Sequence, residues 1–155
     1  KVTELGASQI WAFPADWSVA KWDGKKLGKK VEKLEKIALG AAEQSKRNLV
    51  PSITLFEKKA DFLAQFDQFY RIVVAYEESA KEGESAALIQ AVADLEKGAK
   101  LLFIFGPEGG LSPAEIESFE AKGAVLAGLG PRILRAETAP LYALSAISVL
   151  LELEK

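Results

Sequence analysis

Two arginines and a glutamate lie close together near the end of the chain, and their side chains have the clearest capacity for chemistry. Arg132 and Arg135 are followed by Glu137 and Thr138, between one apolar stretch and another. Positive charge beside apolar segments is costly unless it is paired or serves a ligand. The cluster is therefore either an ion-paired helix cap or a site that stabilises negative charge on a bound molecule or partner.

The chain contains no histidine and no cysteine, which excludes several kinds of active site. Thiol nucleophiles, Ser-His-Asp triads, imidazole bases and zinc sites built from histidine or cysteine are impossible. Chemistry has to come from carboxylates, amines, guanidinium groups, hydroxyls, backbone groups or a bound cofactor. We expect no metal site.

Three segments follow strand-like stretches and are candidates for ligand binding: 75–78, Gly106–Gly110 and 129–135. In open α/β sheets, ligands bind outside the carboxyl ends of the strands. Glycine and proline in the second and third segments let backbone approach a ligand, although they also make ordinary turns. Glu108 disfavours phosphate in the second segment and favours a cationic or neutral ligand, such as S-adenosylmethionine with its positive sulfonium.

Two common nucleotide-binding motifs are missing from the sequence. No segment matches the G-x-x-x-x-G-K-[ST] pattern of a P-loop. Gly128 and Gly130 begin like a dinucleotide fingerprint, but Ile133 stands where the third glycine belongs.

Five short apolar stretches have the composition of strands and alternate with helical patterns. Apolar residues occupy every position of Leu101–Phe105, which is typical of a strand covered on both faces in a parallel sheet. The alternation indicates an α/β domain with a mainly parallel sheet of about five strands flanked by helices. The predicted strands are Gln9–Phe13, Ile53–Phe56, Arg71–Tyr76, Leu101–Phe105 and Ala124–Leu129.

The helical patterns carry recognisable ends. Ser112, Pro113 and Glu115 form the signature of a capping box with proline at the first helical position. The last predicted helix is apolar nearly all round, so it has to pack against the sheet or a partner chain. The predicted helices are Lys25–Arg47, Ala60–Phe69, Ser85–Lys97, a helix from Ser112 to near Gly123, and Ala136–Glu152.

The chain has 155 residues, the length of one ordinary domain, and a net charge of −2. This balance disfavours a bulk nucleic-acid-binding surface, but residues 21–36 hold seven lysines against Asp23, Glu32 and Glu35, which is a local net charge of +4. That segment is either a solvated helix face or a phosphate-facing surface. No apolar run has the length of a membrane span, and the lack of cysteines and of a targeting segment favours a cytoplasmic location.

Two long segments resemble the paired signatures of the RsmE family of methyltransferases. They are FGPEGGLSPAEIESF (Phe105–Phe119) and LGPRILRAETAPLYALSAI (Leu129–Ile147). The family commonly has an acidic residue, arginine and serine where this chain has Asp16, Trp17 and Ser18. Upstream matches in the expected order extend the resemblance over nearly the whole chain, namely TELGAS (Thr3–Ser8), SVAKW (Ser18–Trp22) and AAEQSKRNLVPSI (Ala41–Ile53).

The resemblance implies methylation of N3 of a uridine in 16S ribosomal RNA of the small subunit, with S-adenosylmethionine as cofactor. It also implies a SPOUT-type α/β fold with a C-terminal trefoil knot that holds the cofactor, and a homodimer. We expect residues 1–155 to be the methyltransferase domain, without the family's N-terminal RNA-binding domain. That expectation fits Val2–Gly6, which read as the end of a helix.

The resemblance further implies roles for individual residues. Arg135, Arg132 and Glu137 are the candidate catalytic residues, with Arg135 stabilising the uridine anion and Glu137 either a base or a partner of the arginines. RNA contacts are expected from Gln44, Ser45 and Arg47. The candidate cofactor-binding residues are Tyr76, Gly106, Gly110, Leu129, Gly130, Ile133 and Leu134.

Two other functions stay open from the sequence. The chain could be a SPOUT methyltransferase that acts on another RNA, such as transfer RNA. It could also be a non-catalytic RNA-binding or assembly module with the same fold. Binding of S-adenosylmethionine and the position of the methylated nucleotide distinguish these functions.

Overall fold

Strands and helices alternate along the chain, as the sequence predicts. A computed structural model describes residues 1–19, 23–78 and 86–153, so Lys21, Trp22 and Ser85 of the predicted segments lie outside the described residues. The elements are β1 (Gln9–Ala12), α1 (Gly24–Gln44), β2 (Ser52–Leu55), α2 (Lys59–Leu63), β3 (Arg71–Ala75), α3 (Ala87–Val92), β4 (Leu101–Ile104), α4 (Pro113–Ala121), β5 (Val125–Ala127) and α5 (Ala139–Ser148).

The described strands pair in parallel, but they form two sheets and not the single sheet expected from the sequence. β1 pairs with β2 from Gln9↔Ser52 to Ala12↔Leu55, and β3 lies between β4 and β5. Trp11 of β1, and Phe13 and Phe56 directly after the two strands, pack onto the core beside the second sheet. The described parts of the two sheets therefore meet through side chains and not through a continuous backbone ladder.

β3 is the most deeply buried of the described strands and is covered on both faces. Ile72 and Val74 contribute to one core cluster and Val73 to the other, and all three are buried. The prediction that Leu101–Phe105 is covered on both faces is also confirmed, because Leu102 and Ile104 lie in or against the first core cluster and Leu101 and Phe103 pack against the second. β4 is less deeply buried than β3, since among the described strands it has a ladder partner on one side only. A strand with a neighbour on each side and helices above and below is the one most completely removed from water.

Aromatic side chains fill the core between the first face of β3 and helices α2 and α4. Phe62 is fully buried at their centre, stacked on Phe13 with ring centroids 4.3 Å apart. Phe66 and Phe119 meet the Phe62 ring edge-on at centroid distances of 5.0 and 6.1 Å. The predicted helix Ala60–Phe69 is interrupted here: α2 ends at Leu63, and a short 3-10 helix, Phe66–Gln68, turns the second phenylalanine inward.

The second core cluster joins the opposite face of β3 to helix α3 and to the C-terminal helix. Ile147, Leu150 and Leu151 pack against this cluster, and a π-helical segment, Val149–Leu153, continues α5. Tyr142 and Val149 remain exposed on the other side of the same helix. The predicted packing of this helix against the sheet is confirmed, and part of its apolar surface stays exposed in the described chain.

Residues 1–7 form a single turn with the bonding pattern of a helix end. Gly6 has φ 101°, its N–H donates to the carbonyl of Thr3, and the N–H of Ala7 donates to the carbonyl of Val2. These bonds and the glycine conformation make a Schellman motif. The sequence signal for a helix end at Gly6 therefore corresponds to real geometry, although no helix is assigned there.

Among the described residues, no helix combines the length and the apolar character needed to cross a membrane. The C-terminal knot implied by the family resemblance stays a prediction.

Candidate functional site

The three predicted ligand-binding segments come together because β3, β4 and β5 are parallel neighbours. Val74 lies opposite Ile104, and Ala75 lies opposite Ala127, so the strands end in register. Tyr76 continues the ladder by one bond, from its N–H to the carbonyl of Ala127 at 3.0 Å. Residues 76, 105–110 and 128–135 therefore leave one edge of the sheet, where α/β proteins place their ligands.

The Gly106–Gly110 loop requires glycine at both ends. The N–H of Gly110 donates to the carbonyl of Pro107 at 2.8 Å, and Gly110 has φ 84°, a conformation that side chains disfavour. A Cβ on Gly106 would lie 3.0 Å from Cγ of Leu111 and 3.2 Å from its backbone nitrogen. A Cβ on Gly110 would meet no atom within 4 Å, so the tightly folded loop leaves open space beside Gly110.

The 128–135 segment lies against helix α5. Gly130 has φ 88°, and a Cβ there would lie 3.2 Å from the hydroxyl oxygen of Tyr142. Leu129 packs against the second core cluster, and Leu134 is half-buried. Ile133 is largely exposed. The segment therefore presents backbone and apolar side chains at the sheet edge, which suits a ligand without phosphate groups.

The candidate catalytic side chains lie at the outer end of this segment. Arg132, Arg135 and Glu137 are all exposed, and the ion pairs of the described chain join other residues. The carbonyl of Arg135 accepts bonds from the N–H groups of Thr138 and Ala139, so its backbone starts α5. Among the described residues, the ion-paired helix cap that the sequence left open is thus not formed, and both guanidinium groups lie exposed beside the segment.

Tyr76 directs its side chain toward α4. The ring packs against the first core cluster and lines an open groove with Pro113, Ile116, Glu117 and two further residues of that helix, Glu120 and Ala121. Among the described residues, no group of three or more metal-ligating side chains comes together in this groove or elsewhere.

The buried carboxylate of Glu115 forms hydrogen bonds at the end of the Gly106–Gly110 loop. Glu115 is 2% exposed, and its carboxylate accepts bonds from the N–H of Ser112 at 2.9 Å and the N–H of Asp16 at 3.1 Å. The hydroxyl of Ser112 accepts from the N–H of Glu115 and donates to the Asp16 carboxylate at 2.5 Å. The predicted capping box is confirmed, and it is extended by Asp16, which the sequence did not connect to it.

Lys59 supplies the charge that balances this network. Its ammonium group lies 2.9 Å from Oε2 of Glu115 and also pairs with Asp16. Hydrogen bonds from Lys59 and Ser112 lower the pKa of Asp16 below its ordinary value. Desolvation acts to lower the pKa of Lys59, but hydrogen bonds to Asp16 and Glu115 outweigh it, so this pKa is raised. Both groups are therefore charged across the neutral range.

The candidate RNA-contact residues at the end of α1 have different surroundings. The hydroxyl of Ser45 donates to the carbonyl of Ala41 at 2.7 Å, and Gln44 is exposed. The guanidinium of Arg47 donates to the carbonyls of Thr3 at 2.9 Å and Ala7 at 2.7 Å. Arg47 thus satisfies carbonyls of the N-terminal turn, a structural role that the sequence did not reveal.

Comparison with known proteins identifies relatives along the whole chain. A family model described as an RNA methyltransferase domain matches residues 1–148. The chain is 53% identical over 153 residues to ribosomal RNA small subunit methyltransferase E of Bacillus subtilis, covering 99% of this chain and 60% of the relative. It is 32% identical to the protein of the same name from Mycobacterium bovis, covering 96% of this chain and 55% of the relative.

A solved structure shares the fold. The crystal structure of a ribosomal RNA small subunit methyltransferase E from Neisseria gonorrhoeae, bound to S-adenosyl methionine, matches with a TM-score of 0.75 and 26% identity. The match covers 96% of this chain and 57% of that one. The chain therefore spans less than two thirds of the length of these relatives, and the resemblance found in the sequence is confirmed over that span.

Replacing Lys59 with methionine should destabilise the protein, because the buried carboxylate of Glu115 loses its counter-charge. Since the lysine side chain is 24% exposed, we expect the free energy of unfolding to fall by about 1–3 kcal/mol, less than for a fully buried pair. Urea unfolding at neutral pH measures the change. Glu117→Gln, on the exposed face of the helix that carries Glu115, is the control and should leave the free energy of unfolding unchanged. Equal losses of stability in the two variants would contradict a special role for the Lys59–Glu115 pair.

Acid should remove the contribution of Asp16 in a defined direction. Because the pKa of Asp16 is lower in the folded protein than its ordinary 3.8, its carboxylate stabilises the fold above that value. This contribution is lost as the pH falls through the folded pKa. Wild type should be more stable than Asp16→Asn at about pH 6, and the difference should shrink below about pH 4. Urea unfolding at each pH measures the difference. A difference that stays constant across this range would refute the proposed contribution of the Asp16 carboxylate.

Proposed function

The chain belongs to the RNA methyltransferase domain family, and from that premise we propose that it transfers a methyl group from S-adenosylmethionine to N3 of a uridine in 16S ribosomal RNA. The observation that carries this proposal is the convergence of residues 76, 106–110 and 128–135 at one edge of a parallel sheet. The names of the relatives from Bacillus subtilis and Mycobacterium bovis support the choice of small-subunit ribosomal RNA.

The sheet edge has the chemistry that S-adenosylmethionine requires. Gly106, Gly110 and Gly130 bring backbone donors and acceptors to the edge, and open space lies beside Gly110. Leu129 and Leu134 offer apolar surface, and the backbone at Tyr76 and Ile133 adds polar groups at the same edge. Glu108 is exposed on the same loop and complements a positive ligand. When bound, the cofactor supplies a methyl group on a sulfonium, which is already activated for transfer.

The protein's own task is to align the uridine and to favour its deprotonated form. Uridine N3 must lose a proton before it attacks, and the negative charge then spreads onto the neighbouring carbonyl oxygens. Arg135 holds a positive charge beside those oxygens, with Arg132 as a second cation. Glu137 accepts the proton directly or orients an arginine. Alignment in a preorganised site supplies much of the remaining rate enhancement.

RNA binding extends beyond the sheet edge. Gln44 and the lysines of α1 are exposed and suited to phosphate and base contacts. Ser45 and Arg47 are engaged with backbone carbonyls, so they would act mainly by shaping that end of the helix. We propose that residues 1–155 are the methyltransferase domain and that the remaining length of the relatives includes an RNA-binding domain. A substrate of ribosomal RNA fits a cytoplasmic location.

We also propose the family's quaternary and chain topology for this protein. The exposed side of the C-terminal helix, with Tyr142 and Val149, supports a homodimer, because a surplus apolar face marks an interface. A knot formed by the 128–135 segment and this helix would hold Gly130 and Leu134 around the cofactor.

Mapping the methylated nucleotide tests the proposed function. Ribosomal RNA from cells lacking the gene should lose one N3-methyluridine, detected as the loss of a reverse-transcription stop because the methyl group blocks the pairing edge. Wild-type protein should restore the stop, and Arg135→Ala should restore it at least about tenfold more slowly while binding S-adenosylmethionine normally by calorimetry. Modification appearing in transfer RNA instead, or no cofactor binding by wild type, would reject the proposal.

Substitutions in the C-terminal helical segment test the proposed dimer, because the structure shows which of its side chains are exposed and which pack in the core. Val149 is 45% exposed, so Val149→Glu should give a folded monomer with weakened methylation. Leu151 packs against the second core cluster, so Leu151→Glu should unfold the protein. Ile89→Glu, at a 54% exposed site on α3, is the matched control and should stay dimeric. Sedimentation showing a monomeric wild type at micromolar concentration would contradict the proposal.

A further inference from the structure

A tryptophan lies exposed beside the candidate site. Trp17 is 51% exposed, whereas Trp11 packs against Phe56 and Phe69 in the core, with centroid distances of 5.3 Å to each ring. Large aromatic side chains usually bury much of their surface, because they lose more from exposure to water than small ones. About half of the Trp17 surface is therefore left uncovered by the described part of the fold and offers a large apolar area to a ligand.

The backbone that carries Trp17 is held in place. The N–H of Ser18 donates to the carbonyl of Ala15 at 3.1 Å, which closes a turn with Asp16 and Trp17 at its tip. The backbone and side chain of Asp16 are both bound in the network of Glu115, Ser112 and Lys59. A ligand that contacts the indole ring therefore meets a turn already fixed in position, which reduces the entropy lost on binding.

Trp17 also touches the glycine-rich loop at its outer end. A Cβ on Gly109 would lie 3.2 Å from the carbonyl oxygen of Trp17 and 3.4 Å from its Cβ. Gly109 and Glu108 are exposed, whereas Gly106 and Gly110 are half-buried. The tryptophan thus lies at the exposed tip of the loop, next to Gly109, whereas the open space proposed for the cofactor lies beside Gly110.

Positive charge lies along the same part of the surface. The carboxylate of Glu57 lies next to the first residue of α1, since its Oε1 would be 2.6 Å from a Cβ on Gly24. Two residues later, Lys59 binds Asp16 in the turn of Trp17. The tip of the turn and the start of α1 therefore both lie next to the segment 57–59. Six lysines follow along this helix, and all of them are exposed.

We propose that Trp17 is a stacking platform for an unpaired RNA base next to the methylated uridine, with the lysines of α1 holding the flanking phosphates. An aromatic face beside a lysine-rich surface is the combination by which proteins bind single-stranded nucleic acid. The inference rests on the proposed function, and it assigns Trp17 a role in RNA affinity that is separate from cofactor binding and from methyl transfer.

Fluorescence tests the stacking without requiring turnover. A short single-stranded RNA oligonucleotide that contains uridine is titrated into the full-length protein. Stacking should quench part of the tryptophan emission in wild type, and this quenching should be absent in Trp17→Phe, in which the other tryptophans are retained. Failure of the proposed function gives a different result: wild type would show the Trp17-dependent quenching by RNA but would methylate no ribosomal RNA.

A series of substitutions at position 17 separates stacking from mere apolar contact. Trp17→Ala and Trp17→Leu should each weaken RNA binding by about tenfold, whereas Trp17→Phe should retain most of the affinity. Calorimetry with S-adenosylmethionine and the melting temperature should be unchanged in all three. The proposal would be overturned if Trp17→Ala bound RNA as tightly as wild type, or if the leucine and phenylalanine variants bound RNA equally well. It would also be overturned if Trp17→Phe lost cofactor binding or failed to fold.

Discussion

The buried carboxylate of Glu115 is the interaction on which the geometry of the candidate site depends. A charged group removed from water is tolerable only when hydrogen bonds and a counter-charge surround it, and here Ser112, Asp16 and Lys59 supply both. These partners come from the start of α4, the turn after β1 and the start of α2. The requirement to satisfy one carboxylate therefore fixes the end of the glycine-rich loop, the Trp17 turn and the start of α2 relative to each other.

The parallel sheet provides the second constraint, because it brings distant segments to a common edge. Strands β3, β4 and β5 end in register, so the residues that follow them are neighbours without any direct bond between the loops. Glycines with positive φ, at Gly110 and Gly130, then let the backbone turn sharply where the strands end. The sheet determines where the loops begin, and the glycines determine how sharply each loop turns.

Local signals explain which parts of this arrangement the sequence could predict. The capping box was predictable because Ser112 and Glu115 are three residues apart, and parallel pairing followed from the alternation of strands and helices. Asp16 lies 99 residues from Glu115, so no local pattern connects them. The sequence predicts Arg47 as an RNA contact because it ends the basic helix in a segment that resembles the family, and only the fold reveals the carbonyls that it binds 40 and 44 residues away. Division into two sheets was likewise invisible, since short apolar strands have the same signature whichever neighbour they pair with.

The chain contains no histidine and no cysteine, so the positions of its other groups determine what chemistry the site can perform. An enzyme without an imidazole or a thiol has to rely on placement and on fixed charges to lower a barrier. Backbone held by glycines at a sheet edge and arginines exposed at the mouth of α5 are groups of this kind. A reaction whose methyl donor is already activated demands mainly alignment and stabilisation of a developing anion. The residue types that the chain retains are therefore sufficient for the proposed transfer, provided that the buried network keeps the loops in place.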